Sequence, residues 1–315
     1  MRIRTPLALA SLLVAGFATA GCGGAAGDDD GKLSIVTAFY PAQYVAERIA
    51  GDRATVTNLT QPGVEPHDLE LSAEQAAQTA DADLVVYLKG FQPAVDEHAE
   101  QHVDDKRRAL DVAAAPGVAP LLDAEPEDNH AKEPRDEHGH EDGGKDPHLW
   151  LDPVRYAAVA EAVAGRLGEL DPDHKAEYVK HAAEFGADLE TLGKEYTTGL
   201  ATCQRHEIFV SHAAFGYLAA RYQLEQVAIA GLSPDQEPTG KRLAEVADLA
   251  KEHGATVIFF ETLVSPKIAK TLADEVGAEA KVLDPIEGLN PESKDDYLTV
   301  MRRNLTELRT ALGCR

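Results

Sequence analysis

The chain has 315 residues, 44% of them hydrophobic, and carries 30 Lys and Arg against 54 Asp and Glu, for a net charge of -24. A surface this acidic disfavours nucleic acid and anionic substrates and draws cations inward. About 290 residues beyond an export leader are enough for two lobes, each with its own core.

Arg2 and Arg4 open the chain, residues 7–20 are apolar or small, and Cys22 follows Thr19-Ala20-Gly21. This predicts a secretory signal over 1–21, with an apolar core too short for a transmembrane span. The Ala-Gly-Cys ending resembles a bacterial lipobox, which implies cleavage before Cys22 and lipid on its thiol. The alternative is an ordinary signal with an incidental cysteine. Residues 22–31, with Asp28, Asp29 and Asp30 among glycines, read as a flexible tether. No later segment has the apolar length of a membrane helix.

Strand and helix patterns then alternate. Strands are predicted at 33–37, 54–60 and 84–88, and helices at 40–50, 72–79 (capped by Ser72) and 92–106. Such alternation argues for a parallel sheet covered by helices. The pattern breaks at Pro116. Residues 125–145 are acidic and nearly free of large apolar side chains, and read as a disordered loop holding His130, His138 and His140. A helix follows the Pro153 turn. Asp171 and Pro172 then start a long helix to residue 200, roughly 43 Å at 1.5 Å per residue.

On that helix Tyr178, Ala182, Phe185, Leu189, Leu192 and Tyr196 keep one apolar seam. A heptad seam can pair two chains, but no flanking charge pattern accompanies it, so the helix is expected to pack along both lobes. Alternation resumes with strands at 207–210, 226–229, 256–260 and 280–283, and helices at 212–222, 239–252, 266–275 and 294–312. The expected fold class is α/β: lobes at 32–170 and 203–315, each with a parallel sheet, joined by a linker helix at 171–202.

Four segments offer metal-binding groups at strand or turn exits. Pro66-His67-Asp68 closes a Gly/Pro turn. The run Asp146-Pro147-His148-Leu149-Trp150-Leu151-Asp152-Pro153 presents an imidazole between prolines. Ser211-His212 ends one apolar strand and Leu283-Asp284-Pro285 another. Three imidazoles and one carboxylate are the donor set of a closed tetrahedral zinc site, and ligands of α/β sheets gather beyond the strands' carboxyl ends. Taken singly, each histidine reads more simply as a turn or capping residue, and Asp284 as the start of a turn. His98 and His102 lie one helical turn apart on a charged helix and read as a solvated face. There is no HExxH, no GxSxG and no activated nucleophile, so no enzyme is predicted.

The segments TAFYP at 37–41, PGVEPHDLE at 62–70, DPHLWLDP at 146–153, SHAAFGYL at 211–218, FFET at 259–262 and VLDP at 282–285 carry a family likeness. Over about 33–312 the chain resembles the zinc/manganese solute-binding lipoproteins of bacterial ABC importers, the ZnuA-like class. The resemblance implies that two lobes clasp one metal in their cleft, with His67 and His148 from the first and His212 and Asp284 from the second. Pro66 stands where some relatives place a glutamate, so a water or a loop histidine is the alternative fourth donor.

Glu261, at the end of a buried strand, is expected either to orient a ligand imidazole or to serve the interlobe interface. His130, His138 and His140 are either auxiliary zinc ligands or part of an inert linker. Relatives selecting manganese carry a carboxylate at the His212 position, so Zn2+ is expected. The implied function is an extracytoplasmic high-affinity zinc receptor, delivering Zn2+ to an ABC permease. It is expected to be a monomer, without a nucleic-acid partner, anchored through Cys22 to the outer face of the cytoplasmic membrane. The alternatives are a manganese or iron receptor, a zinc hydrolase or a surface adhesin. Cys203 and Cys314 remain for a disulfide in an exported protein, or stay as free thiols.

Overall fold

The computed structural model describes residues 31–103, 105–124, 144–290 and 292–315. Cys22 with most of the expected tether, and His130, His138 and His140, lie outside the described residues. The first sheet contains β1 (Leu33–Thr37), β2 (Ala54–Asn58), β3 (Leu84–Tyr87) and β4 (Ala109–Asp111), all parallel, in the order β2-β1-β3-β4. Ile35 and Val36 of β1 and Leu84, Val85 and Val86 of β3 are buried. This is the continuous apolar run expected of central parallel strands covered on both faces.

Helices α1 (Tyr40–Ala50), α2 (Ala73–Asp81) and α3 (Pro93–His102) belong to this half. A reciprocal cap starts α2: Ser72 Oγ accepts from Gln75 N at 3.2 Å, and Gln75 Oε1 accepts from Ser72 N at 2.9 Å. The third helix stops at His102, short of the expected 106, because Lys106–Arg108 forms a 3-10 turn into β4. That three-residue strand is too short to show a pattern of its own in the sequence.

Asp152 caps α4 (Pro153–Leu170) by accepting from Val154 N at 3.0 Å, with Pro153 in the first turn. The long helix begins as a 3-10 turn at Pro172–His174 and continues as α5 (Lys175–Gly199). Its predicted seam, from Tyr178 to Tyr196, is buried along its length. Arg48 pairs with Asp188 at 2.7 Å, and His181 Nδ1 lies 2.8 Å from the Ile49 carbonyl. Near the other end, Tyr196 donates to Met301 O at 2.7 Å, and Arg302 pairs with Glu195. The helix therefore lies along both halves, and its apolar seam is used within the chain rather than offered to a second copy.

The second sheet repeats the first. Strands β5 (Glu207–Val210), β6 (Glu225–Ala228), β7 (Val257–Phe260) and β8 (Glu279–Val282) are parallel in the order β6-β5-β7-β8. They alternate with α6 (Gly216–Tyr222), α7 (Gly240–Glu252), α8 (Lys267–Val276) and α9 (Tyr297–Leu312). The helix expected from 212 begins four residues later. Ala213 N donates to Gly231 O at 2.8 Å and Phe215 N to Gln226 Oε1 at 2.6 Å, so these amides are bonded outside a helix and 212–215 forms an irregular turn. A disulfide joins Cys203 to Cys314. Among the described residues no helix is long and apolar enough to cross a membrane.

Candidate metal centre

The carboxyl ends of both sheets supply the polar groups of one buried cluster. His67 sits in the loop after β2, His212 two residues after β5, Glu261 directly after β7, and Glu287 five residues after β8. His148 comes from the segment leading into α4. The ligand atoms of His67, His148, His212 and Glu287 all lie within 4.8 Å of one another.

Each imidazole turns its Nε2 to the same carboxylate oxygen. Glu287 Oε1 lies 2.8 Å from His148, 3.1 Å from His212 and 3.3 Å from His67. His148, His212 and Glu287 are buried, and His67 nearly so. The other carboxylate oxygen, Glu287 Oε2, is buried and has no hydrogen-bond partner among the described residues. Orphaned buried carboxylate oxygens are rare and costly, and a cation set among these four groups would supply the missing charge.

The opposite edges of two rings are fixed by acids. Asp146 Oδ1 is 2.8 Å from His148 Nδ1, and Glu261 Oε1 is 2.8 Å from His212 Nδ1. Such carboxylate–imidazole pairs set the tautomer and leave Nε2 free to bind metal. His67 has a different support: Phe91 packs edge-on against its ring at a centroid distance of 4.6 Å, and its backbone N donates to the Glu65 carboxylate at 3.0 Å.

Burial opposes charge on His148, but hydrogen bonds to Asp146 and Glu287 raise its pKa above the ordinary value. Burial likewise opposes charge on His212, yet Glu261 and Glu287 raise it to about 10. Burial would also raise Glu287, but the charge of His212 and the hydrogen bonds to the imidazoles hold it well below the usual carboxylate range. Without a cation, then, His148 and His212 favour their protonated forms beside an ionised Glu287. A divalent ion would take the place of those protons.

The structure brings together three of the four expected donors and substitutes the fourth. Asp284 is outside the cluster, and its oxygens are engaged elsewhere. Oδ1 accepts from Ile286 N at 2.8 Å and Oδ2 from the Thr262 hydroxyl at 3.2 Å. Burial raises its pKa to about 6. The turn that Asp284 begins carries the chain three residues further and presents Glu287 in its place. The local signal, a carboxylate before proline at a strand end, points to Asp284, whereas Glu287, three residues on, is the one that meets the imidazoles. Asp146 opens the same run that carries His148, and no spacing rule marks it as the partner of that ring.

Glu261 stands where it can orient His212. His98 and His102 lie apart from the cluster on α3, their rings 4.6 Å apart. A second, more exposed acidic group of Glu65, Asp68 and Asp235 places its carboxylates within 4.8 Å of each other, and burial with the charge of Glu287 raises Glu65 to about 8.

A family model described as zinc-uptake complex component A, periplasmic, matches residues 35–311. The chain is 38% identical over 309 residues to the high-affinity zinc uptake system protein ZnuA of Bacillus subtilis (strain 168), covering 97% of this chain and 96% of that one. It is 38% identical over 289 residues to the zinc-binding lipoprotein AdcA of Streptococcus pneumoniae (strain ATCC BAA-255 / R6), where it covers 89% of itself and 56% of that longer protein. Among solved structures, the Zn(II)-bound ZnuA-like domain of Streptococcus pneumoniae AdcA matches with a TM-score of 0.73 and 36% identity, covering 90% of this chain and 99% of that one.

Proposed function

As this chain belongs to the ZnuA family of zinc-uptake components, we propose that it is an extracytoplasmic receptor that captures Zn2+ and passes it to an ABC importer. The observation that carries the reading is the convergence of three Nε2 atoms on one buried carboxylate, with Asp146 and Glu261 behind two of the rings. Three nitrogens and one oxygen suit tetrahedral zinc, whereas manganese favours oxygen-rich octahedra. In this reading His67, His148, His212 and Glu287 are the ligands. Four protein donors complete a tetrahedron and leave no position for a reactive water, so the site serves capture rather than hydrolysis.

ZnuA-family proteins work with ABC permease and ATPase components and act outside the cytoplasm. Anchoring through lipid on Cys22, a monomeric state and the division into leader, tether, two lobes and linker helix are part of the same proposal. The lipoprotein name of the pneumococcal relative supports the anchor. Substituting Cys22→Ala should release the protein from cells; retention at the membrane would refute the anchor.

The deciding experiment for the whole reading is calorimetry on chelator-stripped protein. Tight binding of one Zn2+ per chain, with Mn2+ and Fe2+ displaced in competition, is expected. A stripped, folded protein that takes up no zinc would overturn the receptor assignment.

A further inference from the structure

Glu287 reaches the imidazoles from a turn whose backbone is strained. Ile286 has φ +61°, a region that β-branched residues scarcely populate, and its side chain is fully buried. Local bonds hold it there. Asp284 Oδ1 accepts from Ile286 N, while Asn304 brackets Asp284 by accepting from its N at 3.0 Å and donating to its O at 2.7 Å.

Two further bonds reach the turn from the other half of the molecule. Trp150 Nε1 donates to Pro285 O at 2.7 Å, and Gly63 N donates to Leu289 O at 2.9 Å. Trp150 lies two residues after His148, and Gly63 four before His67. The two backbone stretches that carry the first half's imidazoles therefore also grip the turn on either side of Glu287. A cavity of about 210 Å³ borders this turn, lined in part by Asn58, Thr60, Gln61 and Glu287.

We propose that the 284–290 turn is a clasp, in which Trp150 and Ile286 are positioning residues for the metal-binding step. Glu287 meets the metal while the Trp150 and Gly63 bonds hold the turn. Once they part, relaxation of Ile286 from the left-handed conformation withdraws the carboxylate, and zinc is left on imidazoles alone. This inference rests on the zinc-receptor reading. It adds that the fourth ligand is conditional on contact between the halves, so that opening weakens the site by itself.

The test is the rate at which the zinc-loaded full-length protein surrenders zinc to a chelator, followed by stopped flow. The chain has a single tryptophan, so Trp150 emission reports the clasp in the same measurement. In the wild type, emission should change in one phase with zinc loss. Trp150→Phe removes the indole donor and should lose zinc about tenfold faster.

Because Trp150 also packs against Phe39, Phe91 and His148, a second comparison avoids the core. Ile286→Ala and Ile286→Gly both remove the buried side chain, but only glycine adopts a positive φ without strain. The Gly variant should therefore lose zinc several-fold more slowly than the Ala variant. Equal rates for that pair, or tryptophan emission that does not follow zinc loss in the wild type, would overturn the clasp while leaving the receptor reading intact. A wild type that never loads zinc would overturn both.

Discussion

Glu261 holds Nδ1 of His212 at 2.8 Å with the same oxygen that accepts the Ser211 hydroxyl at 2.8 Å. That contact keeps a proton on Nδ1 and aims Nε2, the nitrogen that would meet a metal, into the cluster. Replacing Glu261 with Gln keeps the volume and removes the charge. Zinc affinity should fall about ten- to a hundredfold with stoichiometry unchanged. Calorimetry checks this directly; an affinity equal to wild type would confine Glu261 to a role at the interface.

Glu287 and Asp284 are three residues apart, but only Glu287 faces the imidazoles. The pair Glu287→Gln and Asp284→Asn separates their roles. The first removes the anionic ligand and should weaken zinc binding by roughly a hundredfold or more, since charge-assisted contacts in a buried site contribute several kcal/mol. The second retains an oxygen that can accept from Ile286 N, so affinity should stay within about tenfold of wild type. A reversed order in competition titrations would restore Asp284 as the ligand.

Most of this architecture is legible in the sequence because its signals are local. The burial of the α5 seam follows from spacing alone, and the Ser72 and Asp152 caps from residue type and position. The three histidines stand out because each sits in a distinctive turn, His67 and His212 after strands and His148 between prolines ahead of α4. Glu287 does not, because its role depends on a positive φ at Ile286, which no residue preference predicts for isoleucine. The late start of α6 is hidden for a similar reason: the amides of Ala213 and Phe215 are bonded by Gly231 and Gln226, partners distant enough in sequence to leave no periodic trace.

The pKa shifts fix the sign of the pH response. In the metal-free protein a raised His212 pKa, from 6.5 to about 10, stabilises the fold fully below about pH 6.5. That contribution is lost as pH rises through the folded value. His148 adds in the same direction. Glu287, shifted downward, contributes above the ordinary carboxylate pKa and loses that contribution in acid. Zinc requires neutral imidazoles, so its binding runs the other way and releases protons. The rise in Tm on adding zinc should grow between about pH 5 and about pH 8. Calorimetry in buffers of different ionisation enthalpy should show proton release near neutrality. A pH-independent zinc affinity would contradict protonation of His148 and His212 in the metal-free protein.

The Cys203–Cys314 bridge closes a loop spanning 111 residues and ties the chain's last residues to the start of β5. In the chain-entropy model a loop of this length stabilises by about 4–5 kcal/mol. Reduction should therefore lower the denaturation midpoint measurably. Because neither cysteine touches the metal cluster, zinc stoichiometry measured under native conditions should survive. Loss of zinc binding before any unfolding signal would show that the bridge also supports the site.

The acidic segment 125–143 is flanked by residues that meet one another. Ala124 N donates to Gly144 O at 2.9 Å, and Lys145 pairs with Asp123. Its two ends are thus already a backbone hydrogen bond apart, and a short Gly-Ser link can replace everything between them. A shorter link between Ala124 and Gly144 costs less closure entropy, so the excised protein should be at least as stable as the parent. The cluster's supports, including Asp146 immediately beyond the stem, stay in place. One zinc per chain at unchanged affinity is therefore expected after excision. A fall in stoichiometry would instead assign a bound ion to His130, His138 and His140.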